Sequence, residues 1–282
     1  MELKQLTRII GGLMLVLATT ACKSEFEKIR ASGDAQMLYT KAFEYYEQEE
    51  YQKAQTLFEL IISSYRGKKE AEELYFRYAY TYYYLGSYIL ASYYFKNFST
   101  TYSTSQYREE SDFMTAYSNY QLSPTFRLDQ TYSLQAIEGF QLFVNTYPQS
   151  DRVKECNRLI DEMRRKLERK AYESAQLYFD LRQYQSSVHS FENLLKDFPD
   201  TENAEKIRYM IIRATYLLAE NSVVDKQATR YKETVEKATE FLDRYTASEY
   251  TKEVNNILDN ASKKLNQENN VGYQNQSARA GS

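Results

Sequence analysis

A 37-residue recurrence constrains this chain more than any other feature. Ala42, Tyr51, Ala54 and Phe58 return as Ala79, Tyr88, Ala91 and Phe95, each 37 positions later. Each copy reads as helix, turn, helix. The small residue and the aromatic four positions after it share one helix face. The same grammar returns three more times. A third unit opens at Ala116 and continues through Ala136, Phe140 and Phe143. A fourth opens at Ala175 and continues through Tyr184, Ser187 and Phe191. A weaker fifth opens at Ala214, with Tyr231, Thr234, Ala238 and Phe241. Every second helix ends on an aromatic four residues after a large apolar side chain: Ile61/Tyr65, Phe98/Tyr102, Phe143/Tyr147, Leu194/Phe198 and Phe241/Tyr245. Such a unit cannot bury its apolar face alone, so neighbours must stack. With only 8 glycines and 3 prolines to interrupt it, the chain favours long helices. The expectation is an all-α fold of about five helix-turn-helix units over residues 34–262.

Two units depart from the spacing. The third and fifth carry insertions between their helices, and in the third Gln121–Gln130 contains Pro124 and reads as a loop. Ala116 and Ala175 are 59 apart, and the extra length after Pro148 is apolar at Val153, Leu159, Ile160, Met163 and Leu167. That pattern predicts one long amphipathic helix from about Asp151 into the fourth unit. Its basic cluster, Arg164-Arg165-Lys166 to Arg169-Lys170, reads as a solvated face. The organisation expected is a leader at 1–21, a tether at 22–33 and units 1–3 at 34–150. The long helix with units 4–5 follows at 151–265, and a polar tail without structure at 266–282.

The N-terminus sets the compartment. Lys4 and Arg8 precede an apolar or small run from Ile9 to Ala21. That run is too short to span a bilayer, which needs about 20 apolar residues, and has the dimensions of a signal-peptide core. It stops at Cys22, after Thr19-Thr20-Ala21. The arrangement resembles the lipobox of bacterial lipoproteins, with Thr19 where leucine is usual. The resemblance implies lipidation of Cys22, as a palmitate-bearing anchor. The other cysteine, Cys156, then has no intrachain partner.

The sequence holds no catalytic constellation. His189 is the only histidine, Cys156 is the only thiol of the repeat body, and glycine-rich phosphate loops are missing. No metal or cofactor is expected, and the chain is not read as an enzyme. A net charge of −3 gives no electrostatic reason for nucleic-acid binding.

The units resemble the tetratricopeptide repeat, which implies a superhelix whose first helices line a concave groove. In the second unit Tyr75, Tyr78, Ala79 and Tyr82 form the stripe that packs inward, leaving Phe76, Tyr80, Tyr83 and Tyr84 toward the groove. The same offsets select Tyr39, Phe43 and Tyr46 in the first unit, and Phe113, Tyr117 and Tyr120 in the third. They select Tyr172, Gln176 and Phe179 in the fourth, and Ile211, Thr215 and Leu218 in the fifth. The groove is thus aromatic at its N-terminal end, and this fades toward the C-terminus. Aromatic side chains suit peptide capture, and they also suit filling space between helices; both readings stand.

A narrower resemblance rests on Ser123-Pro-Thr-Phe-Arg-Leu-Asp-Gln130, Ala136-Ile-Glu-Gly-Phe140, Phe143-Val-Asn-Thr-Tyr-Pro-Gln-Ser150 and Asp197-Phe-Pro-Asp-Thr201. With the lipoprotein leader and five irregular repeats, these resemble the BamD family of the outer-membrane β-barrel assembly machinery. Leu128 interrupts the family's Arg-Asp-Gln, and Phe198 stands where the family has tyrosine. The resemblance implies a lipid-anchored scaffold at the periplasmic face of the outer membrane. Its N-terminal groove would receive unfolded barrel proteins, and its C-terminal repeats would dock the POTRA region of a BamA-like barrel protein. Arg208 and Arg213, on the fifth unit's first helix, are the candidates for that docking. A tetratricopeptide scaffold of cell-envelope division and a SusD-like glycan-binding lipoprotein are the alternatives. Sustained heptads and tryptophan, respectively, would favour them, and the chain has neither.

Overall fold

The computed structural model describes residues 25–280, with side chains as far as Gln267. The leader and Cys22 lie outside the described residues. Twelve helices occur among the described residues, with no strand. They are α1 (Glu25–Arg30), α2 (Ala35–Glu47), α3 (Tyr51–Ile61), α4 (Ala71–Tyr84), α5 (Tyr88–Thr101), α6 (Arg108–Gln121), α7 (Thr131–Thr146), α8 (Val153–Asp180), α9 (Tyr184–Asp197), α10 (Ala204–Glu220), α11 (Val224–Arg244) and α12 (Thr251–Ala280). The all-α repeat architecture is therefore present, as hairpins α2–α3, α4–α5, α6–α7, α8–α9 and α10–α11.

Two compact units divide the chain. The first comprises residues 25–124 and 130–161, and the second 125–129 and everything from Glu162. The division falls inside α8, between Asp161 and Glu162, later than the boundary at residue 150 expected from sequence. As the amphipathic pattern requires, α8 is one helix of 28 residues.

The recurrent positions do what their spacing implies. Ala42, Ala54, Ala79 and Ala91 are fully buried, as are Phe58 and Phe95. A methyl at these crossings lets backbones approach closely, and the rings fill the remaining gaps. Gly139 of α7 is the extreme case: a Cβ there would lie 2.8 Å from the Cβ of Ala116 on α6. Alanine at a helical glycine normally gains about 1 kcal/mol of helix propensity. Overpacking against a neighbouring helix costs about 1–3 kcal/mol. Gly139→Ala should therefore lower the thermal midpoint in calorimetry rather than raise it.

The paired residues at the end of each second helix also acquire a structural meaning. In all five pairs the aromatic's N–H donates to the carbonyl of the apolar residue four before it, at 2.8–3.2 Å. In the last four units this is the helix-capping hydrogen bond, whereas Tyr65 lies in the turn beyond the end of α3. The aromatic's own carbonyl then accepts from the residue three later, which is Ser105, Ser150, Thr201 or Ser248 in the last four units. The hydroxyls of those residues accept the N–H two positions on, at Tyr107, Arg152, Asn203 and Tyr250. Aromatic-x-x-Ser/Thr is thus the inter-repeat turn, with a side-chain acceptor substituting for water at the next helix start. Within hairpins, Glu49, Gly86 and Arg182 hold equivalent left-handed positions, with φ of 60°, 73° and 59°. There the N–H of Glu50, Ser87 and Gln183 reaches back to the carbonyl five residues earlier, on Tyr45, Tyr82 and Tyr178.

Three segments differ from the sequence reading. Part of the expected tether forms α1, because Ile29 is buried against the first hairpin and Phe26 meets Tyr45 edge-on at 5.8 Å. The extra length of the fifth unit is carried by helix, since only Asn221–Val223 separates α10 from α11. The last helix runs past residue 266, where no regular structure was expected. Its buried anchors are Val254, Ile257 and Ala261.

The basic cluster of α8 is engaged more than a solvated face would be. Lys170 donates to the carbonyls of Phe126 and Leu128, and Arg169 lies 4.3 Å from the Phe126 ring centre. The Pro124 insertion is a loop as expected, and this clamp fixes its far half on α8. Arg164 pairs with Asp200 at 3.2 Å.

Candidate functional site

The first helices of three hairpins bring the ten aromatic candidates into one continuous chain of ring contacts. Tyr39 lies 4.6 Å from Phe43, and Phe43 meets Phe58 of α3 edge-on at 5.2 Å. Phe58 leads to Tyr46 at 6.4 Å, and Tyr46 to Tyr84 at 6.2 Å. From Tyr84 the path runs to Tyr80 at 5.6 Å, and from Tyr80 to Phe76 at 5.0 Å and Tyr83 at 6.5 Å. Tyr83 crosses to Tyr117 of α6 at 6.2 Å. Phe113 and Tyr120 flank Tyr117 at 5.4 and 5.7 Å.

Depth separates these ten. Tyr46, Phe76 and Phe113 are buried, which corrects the expectation that they face an open groove. Phe76 is covered by Phe95 and Phe98 of α5 and stacks flat on Tyr107 at 4.5 Å. Phe113 is enclosed by Phe140 and Phe143 of α7, with the Arg152 guanidinium 4.0 Å from its ring centre. These three are floor. Tyr39, Phe43, Tyr80, Tyr83, Tyr117 and Tyr120 are half-buried, and Tyr84 is 48% exposed while stacking on Tyr51 at 4.4 Å. The opposite stripe of α4 is covered too: Tyr78 and Tyr82 share a hydroxyl hydrogen bond of 2.8 Å, and both rings meet Tyr94 of α5. A helix aromatic on both faces is stable here because both faces have ring partners.

A polar thread crosses the floor. The Tyr80 hydroxyl donates to Glu110 at 2.5 Å, and the other Glu110 oxygen accepts from Arg152 at 2.5 Å. Burial, and then the Glu110 carboxylate, push the Tyr80 phenol far above its ordinary pKa. Burial, with Tyr117 and Tyr88 adjacent, pushes Tyr83 up to about 12. These phenols therefore stay neutral and keep their O–H donors at physiological pH.

The second unit is less aromatic. Tyr172 meets Phe191 edge-on at 5.5 Å, and Phe179 meets Tyr184 at 5.6 Å. Gln176 is half-buried and donates to Asp180 at 2.9 Å. Ile211 and Thr215 are buried, contrary to the groove-facing expectation, because α9, α11 and α12 all pack around α10. Leu218 is half-buried.

Arg208 and Arg213 do not form one docking face. Five residues apart on a helix, they diverge by about 140°. Arg213 lies between Phe179 and Tyr209 and pairs with Glu253 of α12 at 3.4 Å. Arg208 instead lines a cavity of about 290 Å³ between α9, α10 and α11. Lys237 in that cavity donates to Glu192 at 2.6 Å and lies 3.5 Å from Glu233. Burial opposes the Lys237 charge, yet these carboxylates carry its pKa upward.

His189 is exposed on α9. Cys156 is fully buried, and burial pushes its thiol up to about 11, so it is a packing group rather than a nucleophile. Among the described residues no cluster of His, Cys, Asp and Glu could hold a metal, and no helix is long and apolar enough to cross a membrane.

Solved repeat proteins share a limited likeness. The TPR2AB-domain:pHSP90-complex of yeast Sti1 is 14% identical, with 81% of this chain and 98% of that one covered and a TM-score of 0.39. Two structures of a Podosopora anserina putative kinesin light chain with nearly identical TPR-like repeats are 13% and 14% identical. Each covers 77% of this chain and 98% of its own, with TM-scores of 0.33 and 0.32. No curated protein matches the chain. The family profile YfiO, described as outer membrane lipoprotein, matches residues 31–229. Those residues take in the aromatic ring chain and most of the helical hairpins, and the chain belongs to the YfiO outer membrane lipoprotein family.

Proposed function

We propose that this chain is a non-enzymatic scaffold of the outer-membrane β-barrel assembly complex, anchored through a lipid on Cys22 at the periplasmic face. Its first unit holds extended segments of unfolded barrel proteins, and its C-terminal repeats dock the POTRA region of a BamA-like barrel subunit. One observation supports the substrate role above others: the unbroken aromatic chain from Tyr39 to Tyr120. Over a buried floor of Tyr46, Phe76 and Phe113 it offers half-buried rings, among them Tyr83, whose phenol stays neutral. Rings of this kind lose little rotamer freedom on binding and accept apolar and amide surface alike. Membership of an outer membrane lipoprotein family supports this reading.

The test is capture of the tagged, membrane-anchored protein in mild detergent, followed by mass spectrometry. The expected co-purifying protein is a large barrel subunit with POTRA domains. Recovery of division or glycan-uptake proteins without any barrel assembler would overturn the assignment.

A further inference from the structure

The cavity between α9, α10 and α11 carries positive charge that the fold does not use. Four cations line it, Lys196, Arg208, Lys237 and Arg244, against two carboxylates, Glu192 and Glu240. Lys237 is committed to Glu192 and Glu233. Glu240 approaches Arg208 only to 3.9 Å, through the terminal nitrogen. The Arg208 Nε is buried and has no hydrogen-bond acceptor. Among the described residues no carboxylate forms an ion pair with Lys196 or Arg244. They sit in the last turns of α9 and α11, where the helix carbonyls favour cations. That accounts for those two, but Arg208 is in the first half of α10, and its orphaned N–H is unexplained by any helix end. Beneath the charges lies an apolar floor of Ile211, Ile212 and Phe241.

Size narrows the occupant. At about 290 Å³ the cavity lies at the lower edge of the range of ligand sites, about 300–1,000 Å³. It suits two or three side chains. We propose that this cavity is a docking pocket for a partner polypeptide, taking a carboxylate side chain at Arg208 and a neighbouring aliphatic side chain on the Ile211–Phe241 floor. Complementarity of charge supports this occupant, since an acidic group supplies the acceptor that Arg208 Nε lacks and offsets the cavity's positive excess. The proposal deepens the scaffold reading by assigning one docking point within the C-terminal repeats, on the side of α10 away from Arg213.

The probe is the peptide acetyl-Leu-Glu-Leu-amide, titrated into the full chain with methyl NMR of Ile211 and Ile212 as readout. Saturable shifts at both methyls are expected, weakened at least tenfold in Arg208→Gln and when glutamine replaces glutamate in the peptide. Lys196→Gln, on the exposed helix surface, should weaken binding about threefold and serves if Arg208→Gln does not fold. No shift with the peptide would overturn the proposal. Equal binding of the glutamine peptide would reduce the cavity to an apolar contact, and equal response to inorganic phosphate would make it a general anion site; either result overturns it. Because the assay contains no other protein, its failure leaves the capture experiment above unaffected, and the reverse also holds.

Discussion

Phe58→Ala should remove about 3–5 kcal/mol of stability from the first unit. The ring is fully buried, and its truncation leaves a cavity beneath two helices at once. Phe58 belongs to the second helix of its hairpin, yet it is the link that joins Phe43 to Tyr46 on the first. Its loss should therefore loosen the aromatic floor as well as the core. Urea unfolding followed by circular dichroism gives the magnitude, and hydrogen exchange gives the location. Faster exchange should concentrate in α2–α4. Phe191→Ala, an equally buried ring of the second unit, should cost a similar amount while leaving exchange in α2–α4 unchanged. A loss below about 1 kcal/mol at Phe58 would mean that the site collapses around the cavity, and the floor would then be softer than its packing implies.

The second large effect concerns binding. Replacing Tyr83, Tyr84 and Tyr117 together with alanine should weaken capture of an extended peptide with an aromatic C-terminal residue by at least about tenfold. Truncation of an aromatic at a binding hot spot costs about 2 kcal/mol or more, equivalent to a factor of roughly 30. These three rings lie above the buried floor and span the crossing from α4 to α6, so a bound chain has to meet them. Fluorescence anisotropy with a labelled peptide is a sufficient readout. Tyr93→Ala is the control, since that ring is 58% exposed on α5 and lies outside the ten-ring chain. An equal loss at Tyr93 would indicate nonspecific adhesion to tyrosine. Undiminished binding by the triple variant would remove the groove from the function.

The repeat architecture was legible because its signal is periodic and its residues are extreme in size. A buried alanine followed four residues later by a buried phenylalanine leaves few alternatives, and both second-helix copies, Ala54/Phe58 and Ala91/Phe95, obey it. Which aromatic is floor and which is surface was less legible. A helical wheel ranks faces of a single helix, whereas Phe76 is covered by Tyr107, which precedes the next hairpin. The error at Ile211 and Thr215 has the same origin, because three neighbours pack against α10 and bury both side chains. Helix α1 was missed because six mostly charged residues carry almost no pattern, and its placement depends on two side chains, Ile29 and Phe26. The Ser/Thr turn could have been found. Tyr102, Tyr147, Phe198 and Tyr245 are each followed three positions later by Ser105, Ser150, Thr201 and Ser248, a regularity visible once the four are aligned.

The packing partners of the helices are almost all neighbours in the chain, with α10 and α12 the exception. Contacts so local need little loop closure, and each hairpin can form while distant ones are still unstructured. Within each compact unit the protein should therefore mature as a growing stack, in which a completed hairpin becomes the template for the next. Damage should spread the same way, with a defect lowering the cooperativity of adjacent hairpins and fading with distance along the array.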